Sequence, residues 1–271
     1  MSPMHYTTLG PTDVRIPEVG LGTWQYRGGV EPLRRGLDLG ANLIDTAEVY
    51  GTEGVVGEAI KGRRKDVFLA TKVSGDHLRH KDVLRAADAS LRKLGTDWID
   101  LYQIHWPDSS VPIEETMRAM EELVEAGKVR YIGVSNFSAD EQRAAQAALR
   151  KHRIVSNQPL YNLADRDIER DLLPYCQREK VTVLAYSPLA RGALTSKPRF
   201  VGDRGRVETI ERITRETGKT KAQVVLNWCL SRPGVIVIPK SDRVHRIEEN
   251  CGASGWRLAP AQVQALDKAF A

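Results

Sequence analysis

The chain is poor in cysteine: only Cys176, Cys229 and Cys251 occur, far apart and without a C-x-x-C pair. That spacing fits neither a zinc site nor a disulfide framework, and the odd count points to a reducing compartment. No apolar run approaches the ~20 residues of a bilayer helix, which excludes a helical membrane span. Met1 to Thr8 lacks a charged segment followed by an apolar one, so no signal peptide is read and a cytoplasmic location is expected. A strong excess of one charge is also missing. Forty Lys and Arg against thirty-five Asp and Glu leave +5, compatible with an anionic ligand but not demanding nucleic acid.

What is present is an ordinary globular composition, 41% hydrophobic and 28% charged, enough to bury a core. Short β-branched runs alternate with helical patterns along almost all 271 residues. Strands are predicted at Glu18 to Leu21, Asn42 to Asp45, Val67 to Thr71, Ile99 to Ile104, Arg130 to Val134, Ile154 to Asn157, Val181 to Tyr186 and Val235 to Ile238. Leu84, Ala87, Leu91 and Leu94 fall on one helix face before Gly95. Ile113, Met117, Met120 and Val124 do the same before Gly127. Such alternation predicts the α/β class with a parallel sheet, and eight strands predict closure into a (β/α)8 TIM barrel. Tyr6 to Ile16, with Gly10, Pro11, Thr12 and Asp13 at its centre, reads as an N-terminal β-hairpin plugging the barrel's N-terminal end. Extra helices near the C-terminus are expected over Val207 to Thr217, Lys221 to Leu230 and Pro260 to Phe270. No linker or repeat interrupts the pattern, so residues 1–271 are expected to form a single domain.

Several motifs fail on inspection. Gly20-Leu21-Gly22-Thr23-Trp24-Gln25 begins like a dinucleotide fingerprint but lacks its third glycine. His77 and His80 have no nearby third ligand and read as a solvated polar loop. Lys61 to Lys65, with Arg63 and Arg64, reads as a solvated basic turn because no aromatics interleave it. Asn136-Phe137-Ser138 matches a glycosylation sequon that means little without a secretory signal. No metal site is expected.

One constellation survives. A barrel carries its active site at the C-terminal ends of the strands. There stand Asp45 after the second strand, Lys72 after the third and His105 after the fourth, with Tyr50 on the loop from Asp45. Each has a plainer reading: a helix cap, a surface lysine, a core histidine, a half-buried loop aromatic. Convergence on successive strand ends favours chemistry instead, namely proton donation to a carbonyl oxygen. A free tyrosine, with a pKa near 10, is mismatched to neutral pH; lowering it by three units would take about 4 kcal/mol, for which Lys72, held by Asp45, is the candidate source. His105 would orient the substrate oxygen, and the hydride must come from an external donor.

Asn42-Leu43-Ile44-Asp45-Thr46-Ala47-Glu48-Val49-Tyr50-Gly51 resembles the first signature of the aldo-keto reductases. The resemblance continues through Ala70-Thr71-Lys72, Gln103-Ile104-His105-Trp106-Pro107, Gly133-Val134-Ser135-Asn136-Phe137 and Ile238-Pro239-Lys240-Ser241, in order and over essentially the whole chain. It implies a catalytic tetrad of Asp45, Tyr50, Lys72 and His105, with Tyr50 as general acid. It further implies a nicotinamide cofactor whose carboxamide meets Ser135, Asn136 and Gln158 and whose ring stacks on Tyr186. Ser187, Leu189 and Arg191 would lie in the loop over the pyrophosphate, and Gly22 and Thr23 beside the cofactor. Lys240, Ser241 and Arg246 match the family's 2′-phosphate positions, and Glu249 and Asn250 its adenine contacts. NADPH (NADP) is therefore the expected cofactor, with NADH a weaker alternative.

Trp24 and Trp106, with Tyr50 and His105, would wall the substrate pocket. The chain ends directly after the last helix and the loop after the seventh barrel strand looks short, so an open pocket for varied small aldehydes and ketones is expected. A monomer with no nucleic-acid or membrane partner is expected too. Two rivals remain at this point. One is a cofactor-binding regulatory or sensor subunit with little turnover. The other is a metal-dependent barrel hydrolase using Asp45 and His105, for which a second strand-end histidine is missing.

Overall fold

The computed structural model describes residues 3–195 and 204–271. A hairpin, β1 (Tyr6–Thr8) and β2 (Arg15–Pro17), opens the chain and is followed by eight parallel strands. These are β3 (Leu21–Gly22), β4 (Leu43–Asp45), β5 (Phe68–Val73), β6 (Ile99–Ile104), β7 (Val129–Ser135), β8 (Ile154–Gln158), β9 (Thr182–Ala185) and β10 (Val235–Val237). The outer layer consists of α1 (Glu31–Asp38), α2 (Glu53–Ile60), α3 (His80–Leu94), α4 (Ile113–Glu125), α5 (Ala139–Ala148), α6 (Leu172–Glu179), α7 (Arg204–Thr217), α8 (Lys221–Leu230), α9 (Val244–Cys251) and α10 (Pro260–Ala269). The sheet runs in sequence order from β3 to β10. Its ends meet: Val19 bridges Val237 in parallel, and Gly20 N–H donates to Val237 O at 2.8 Å. The barrel is thereby closed.

Local chemistry explains the elements. Gly95 and Gly127 end α3 and α4 at φ +63° and +72°, a left-handed geometry that costs a glycine little. Ser138 with Glu141, and Thr220 with Gln223, form capping boxes that start α5 and α8. Leu9 and Ile16 of the hairpin segment are fully buried against Leu43, Leu101, Val155 and Ile236 inside the barrel. The hairpin is therefore the expected plug. Glu18, buried beside the closing seam, accepts from Ser254 Oγ at 2.6 Å and pairs with Arg257, tying this end to the C-terminal segment.

Two expectations need correction. The first barrel strand is shorter than predicted: Glu18 to Val19 contribute backbone closure rather than a ladder, and only Leu21–Gly22 pairs regularly. Arg64 is not a solvated cation. Its guanidinium lies 4.1 Å from the Trp98 ring centroid and 2.8 Å from the buried Asp100 carboxylate. His77 and His80 meet Glu48 and Glu122, and the described residues hold no metal-binding cluster. The expected short loop after the seventh barrel strand includes residues 196–203, which lie outside those described. No helix among the described residues is long and apolar enough to cross a membrane.

Candidate active site

Every barrel strand delivers something to one mouth. Apolar strand interiors end in polar residues because the last position of each strand leaves the core and meets the cleft. Gly22 ends β3, Asp45 ends β4, Ser135 ends β7 and Gln158 ends β8. Lys72 lies near the end of β5, while His105, Tyr186 and Ile238 immediately follow β6, β9 and β10. They surround a cleft of about 1000 Å³, large enough for a dinucleotide with a small substrate. All the cofactor and substrate residues named from the sequence line it, from Trp24, Tyr50, His105 and Trp106 at one end to Lys240, Arg246 and Asn250 at the other.

Lys72 is the exception. It is completely buried behind the wall, where Nζ donates to Asp45 Oδ1 at 2.7 Å and to Thr46 O at 2.8 Å. The ammonium stands 4.9 Å from the Tyr50 ring centroid, and the Tyr50 hydroxyl lies 3.3 Å from His105 Nε2. The Tyr50 loop is held by three buried threonines: Thr52 Oγ1 lies 2.8 Å from Thr46 Oγ1 and 3.0 Å from Thr23 Oγ1, which donates to Asp45 O.

The electrostatics differ from the sequence expectation. Burial raises the Tyr50 phenol above its ordinary value, outweighing the lowering by Lys72, while Asp45 adds to the rise. Tyr50 therefore holds its proton across neutral pH. Lys72 is itself raised: burial opposes its charge, but Asp45 and Tyr50 more than compensate. His105 is pushed down to about 4 by burial and by Lys72, so its imidazole is neutral at physiological pH.

A prediction follows from His105. Its folded-state value lies below its unfolded value of about 6.5, so the unfolded chain binds the proton more readily between those limits. Its contribution to stability is complete above the unfolded value and is lost as pH falls towards about 4. Against His105→Gln, the wild type should lose this extra increment of stability across that window in urea titrations. Parallel pH curves for the two proteins would contradict the assignment.

In the half of the cleft where a cofactor is expected, several polar groups are paired internally. Asn136, at φ +61°, donates from Nδ2 to His105 O and Ser135 Oγ, each at 3.0 Å, and accepts from Tyr186 OH at 2.9 Å. Ser187, Ala190 and Arg191 all adopt left-handed conformations in the next loop, which points Arg191 over the Trp24 ring at 4.9 Å. Lys240 pairs with Asp242 at 2.6 Å, and Arg246 pairs with Glu249 on α9. Amide and hydroxyl groups at one end, an aromatic face between, and cations beside a helix N-terminus at the other suit a phosphorylated dinucleotide.

Several site residues were not assigned from the sequence. Gln103 is fully buried next to Asp45; its signal was a polar residue two before His105, hence on the same strand face. Unlike Gln103, Lys221, at the start of α8, and Val49, beside Tyr50, line the cleft. Lys221 carried no local signal beyond the helix start. Cys251, next to Asn250, is buried with its thiol pushed up to about 12, so it is chemically quiet.

Residues 18–271 match the model of the aldo/keto reductase family. The chain belongs to the aldo/keto reductase family. It is 39% identical over 268 residues to methylglyoxal reductase YeaE of Escherichia coli (strain K12), covering 95% of this chain and 92% of that protein. Among solved structures, a thermostable aldo-keto reductase crystallised with the inhibitor epalrestat superposes with a TM-score of 0.91 at 42% identity, over 98% of this chain and 100% of the other. An aldo/keto reductase from Klebsiella pneumoniae in complex with NADP and acetate gives a TM-score of 0.87 at 37% identity, over 97% and 95%. The protein is thus an aldo-keto reductase family oxidoreductase with a TIM-barrel fold.

Proposed function

We propose that this family member is an NADPH-dependent carbonyl reductase that converts small aldehydes and ketones to alcohols, reversibly. The observation that carries the reading is the Tyr50 hydroxyl at the cleft, 3.3 Å from a neutral His105 and backed by the buried Lys72–Asp45 pair. NADPH, when bound, supplies a hydride to the carbonyl carbon. Tyr50 gives its proton to the carbonyl oxygen. His105 orients that oxygen by hydrogen bonding, and the Lys72 ammonium stabilises the phenolate left behind. Ser135, Asn136 and Gln158 would hold the carboxamide, Tyr186 the ring face, and Ser187, Leu189 and Arg191 the pyrophosphate. Gly22 and Thr23 would stand beside the cofactor.

Substrate would lie between Trp24 and Trp106, exposed by 40% and 52%, with Val49 beside them. Among the described residues, this apolar rim offers few polar groups to reject a variant substrate, which supports breadth over strict selection. The Escherichia coli methylglyoxal reductase makes short dicarbonyls sensible first substrates. Three free buried thiols suit the cytoplasm, where the protein would act as a monomer.

The phosphate end decides the cofactor. Lys240, Ser241 and Arg246 would receive the 2′-phosphate, with Glu249 and Asn250 towards the adenine. Charge-assisted bonds of this kind contribute about 1.5–3 kcal/mol, so Lys240→Ala with Arg246→Ala should raise KM for NADPH at least tenfold and leave KM for NADH unchanged. Equal effects on both cofactors would overturn the assignment.

A further inference from the structure

The Asp45 carboxylate has more partners than the lysine. Its Oδ1 receives Lys72, while Oδ2 receives Gln158 Nε2 at 2.8 Å and Gln103 Nε2 at 3.3 Å. Gln158 Nε2 also lies 3.4 Å from Gln103 Oε1. A carboxylate oxygen can only accept, so both glutamines must turn their nitrogens towards it. The two N–H groups of Gln158 are then spent on Asp45 and Gln103. Its own carbonyl oxygen has no partner among the described residues, and Gln158 lines the cleft.

Gln103 itself never reaches the cleft. It is fully buried on β6, next to Lys72 across the β5–β6 ladder. Its seat depends on a glycine. A Cβ on Gly133 would stand 2.5 Å from Ser156 Oγ, 2.9 Å from Gln103 Cγ and 3.1 Å from Leu101 Cδ1, so a larger residue there would press on the glutamine and both its neighbours.

We propose that Gln103 is a positioning residue, which fixes the Asp45 carboxylate and turns the Gln158 amide so that only its carbonyl oxygen is left for the cofactor. An acceptor at that point selects a donor, the N–H2 of a carboxamide. Without Gln103, the second N–H of Gln158 has no acceptor, and the single bond to Asp45 is all that still opposes rotation of the amide nitrogen into the cleft. The inference rests on the NADPH reading above, and it concerns the nicotinamide end of the cleft alone.

The test compares NADP with adenosine 2′,5′-bisphosphate, which carries the phosphate end but no carboxamide. In Gln103→Met, NADP should bind about 3- to 10-fold more weakly, the effect of one lost hydrogen bond, while the bisphosphate binds as in the wild type. Gly133→Ala, which crowds Gln103 without replacing it, should show the same split, and it carries the test if Gln103→Met fails to fold. Unchanged binding of both ligands, or equal weakening of both, would overturn the proposal. A wild type that binds neither ligand would overturn the cofactor reading instead, a result distinct from either.

Discussion

Tyr50→Phe is expected to lower kcat for aldehyde reduction by about 100- to 10,000-fold, the usual range for removing a general acid, with NADPH affinity unchanged. The ring keeps its edge-on packing against His105, whose centroid lies 5.3 Å away, so the change deletes a proton and little else. A pH series adds a second check. Because burial holds the Tyr50 proton well above the neutral range, reduction should persist through neutral pH. Alcohol oxidation needs the phenolate and should rise on the alkaline side. Steady-state rates in both directions measure this. Full reductase activity in Tyr50→Phe would remove Tyr50 from the chemistry.

The second large effect is on stability as well as rate. Lys72→Met removes the cation from a fully buried ion pair and leaves the Asp45 carboxylate, itself 2% exposed, without its counter-charge. Breaking a buried pair in this way costs about 3–5 kcal/mol. Urea unfolding of the variant beside the wild type measures the difference. A deficit under about 1 kcal/mol would mean that the pair is far less coupled than its 2.7 Å separation indicates.

The same two residues show how much the sequence can carry. Asp45 and Lys72 were visible because each stands at the end of an apolar run, where a charge has no reason to be unless it faces a cleft or a partner. Their pairing was also visible, since neighbouring barrel strands bring their ends together. What sequence could not give was depth. Lys72 lies behind the cleft wall, and the burial of Tyr50 outweighs its lysine, so the phenol is raised where spacing alone suggested it was lowered. Desolvation is a tertiary quantity with no local signature.

Gln103 illustrates a second limit. It sits in a strand that is buried throughout, and only its contact with Asp45 and Gln158 gives it a part to play. Arg64 illustrates a third: a cluster of basic residues reads as solvated until Trp98 and Asp100, more than thirty positions later, are placed beside it. The hairpin plug and the helix stops were legible because turn and glycine chemistry are local.

The most direct test of the proposed activity is to mix the purified protein with NADPH and methylglyoxal and follow NADPH consumption beside alcohol formation. One alcohol formed for each NADPH consumed, with comparable turnover on other small aldehydes, is the predicted result. NADPH that binds but is not consumed with any carbonyl in the panel would contradict it, and would recast the cleft as a cofactor sensor.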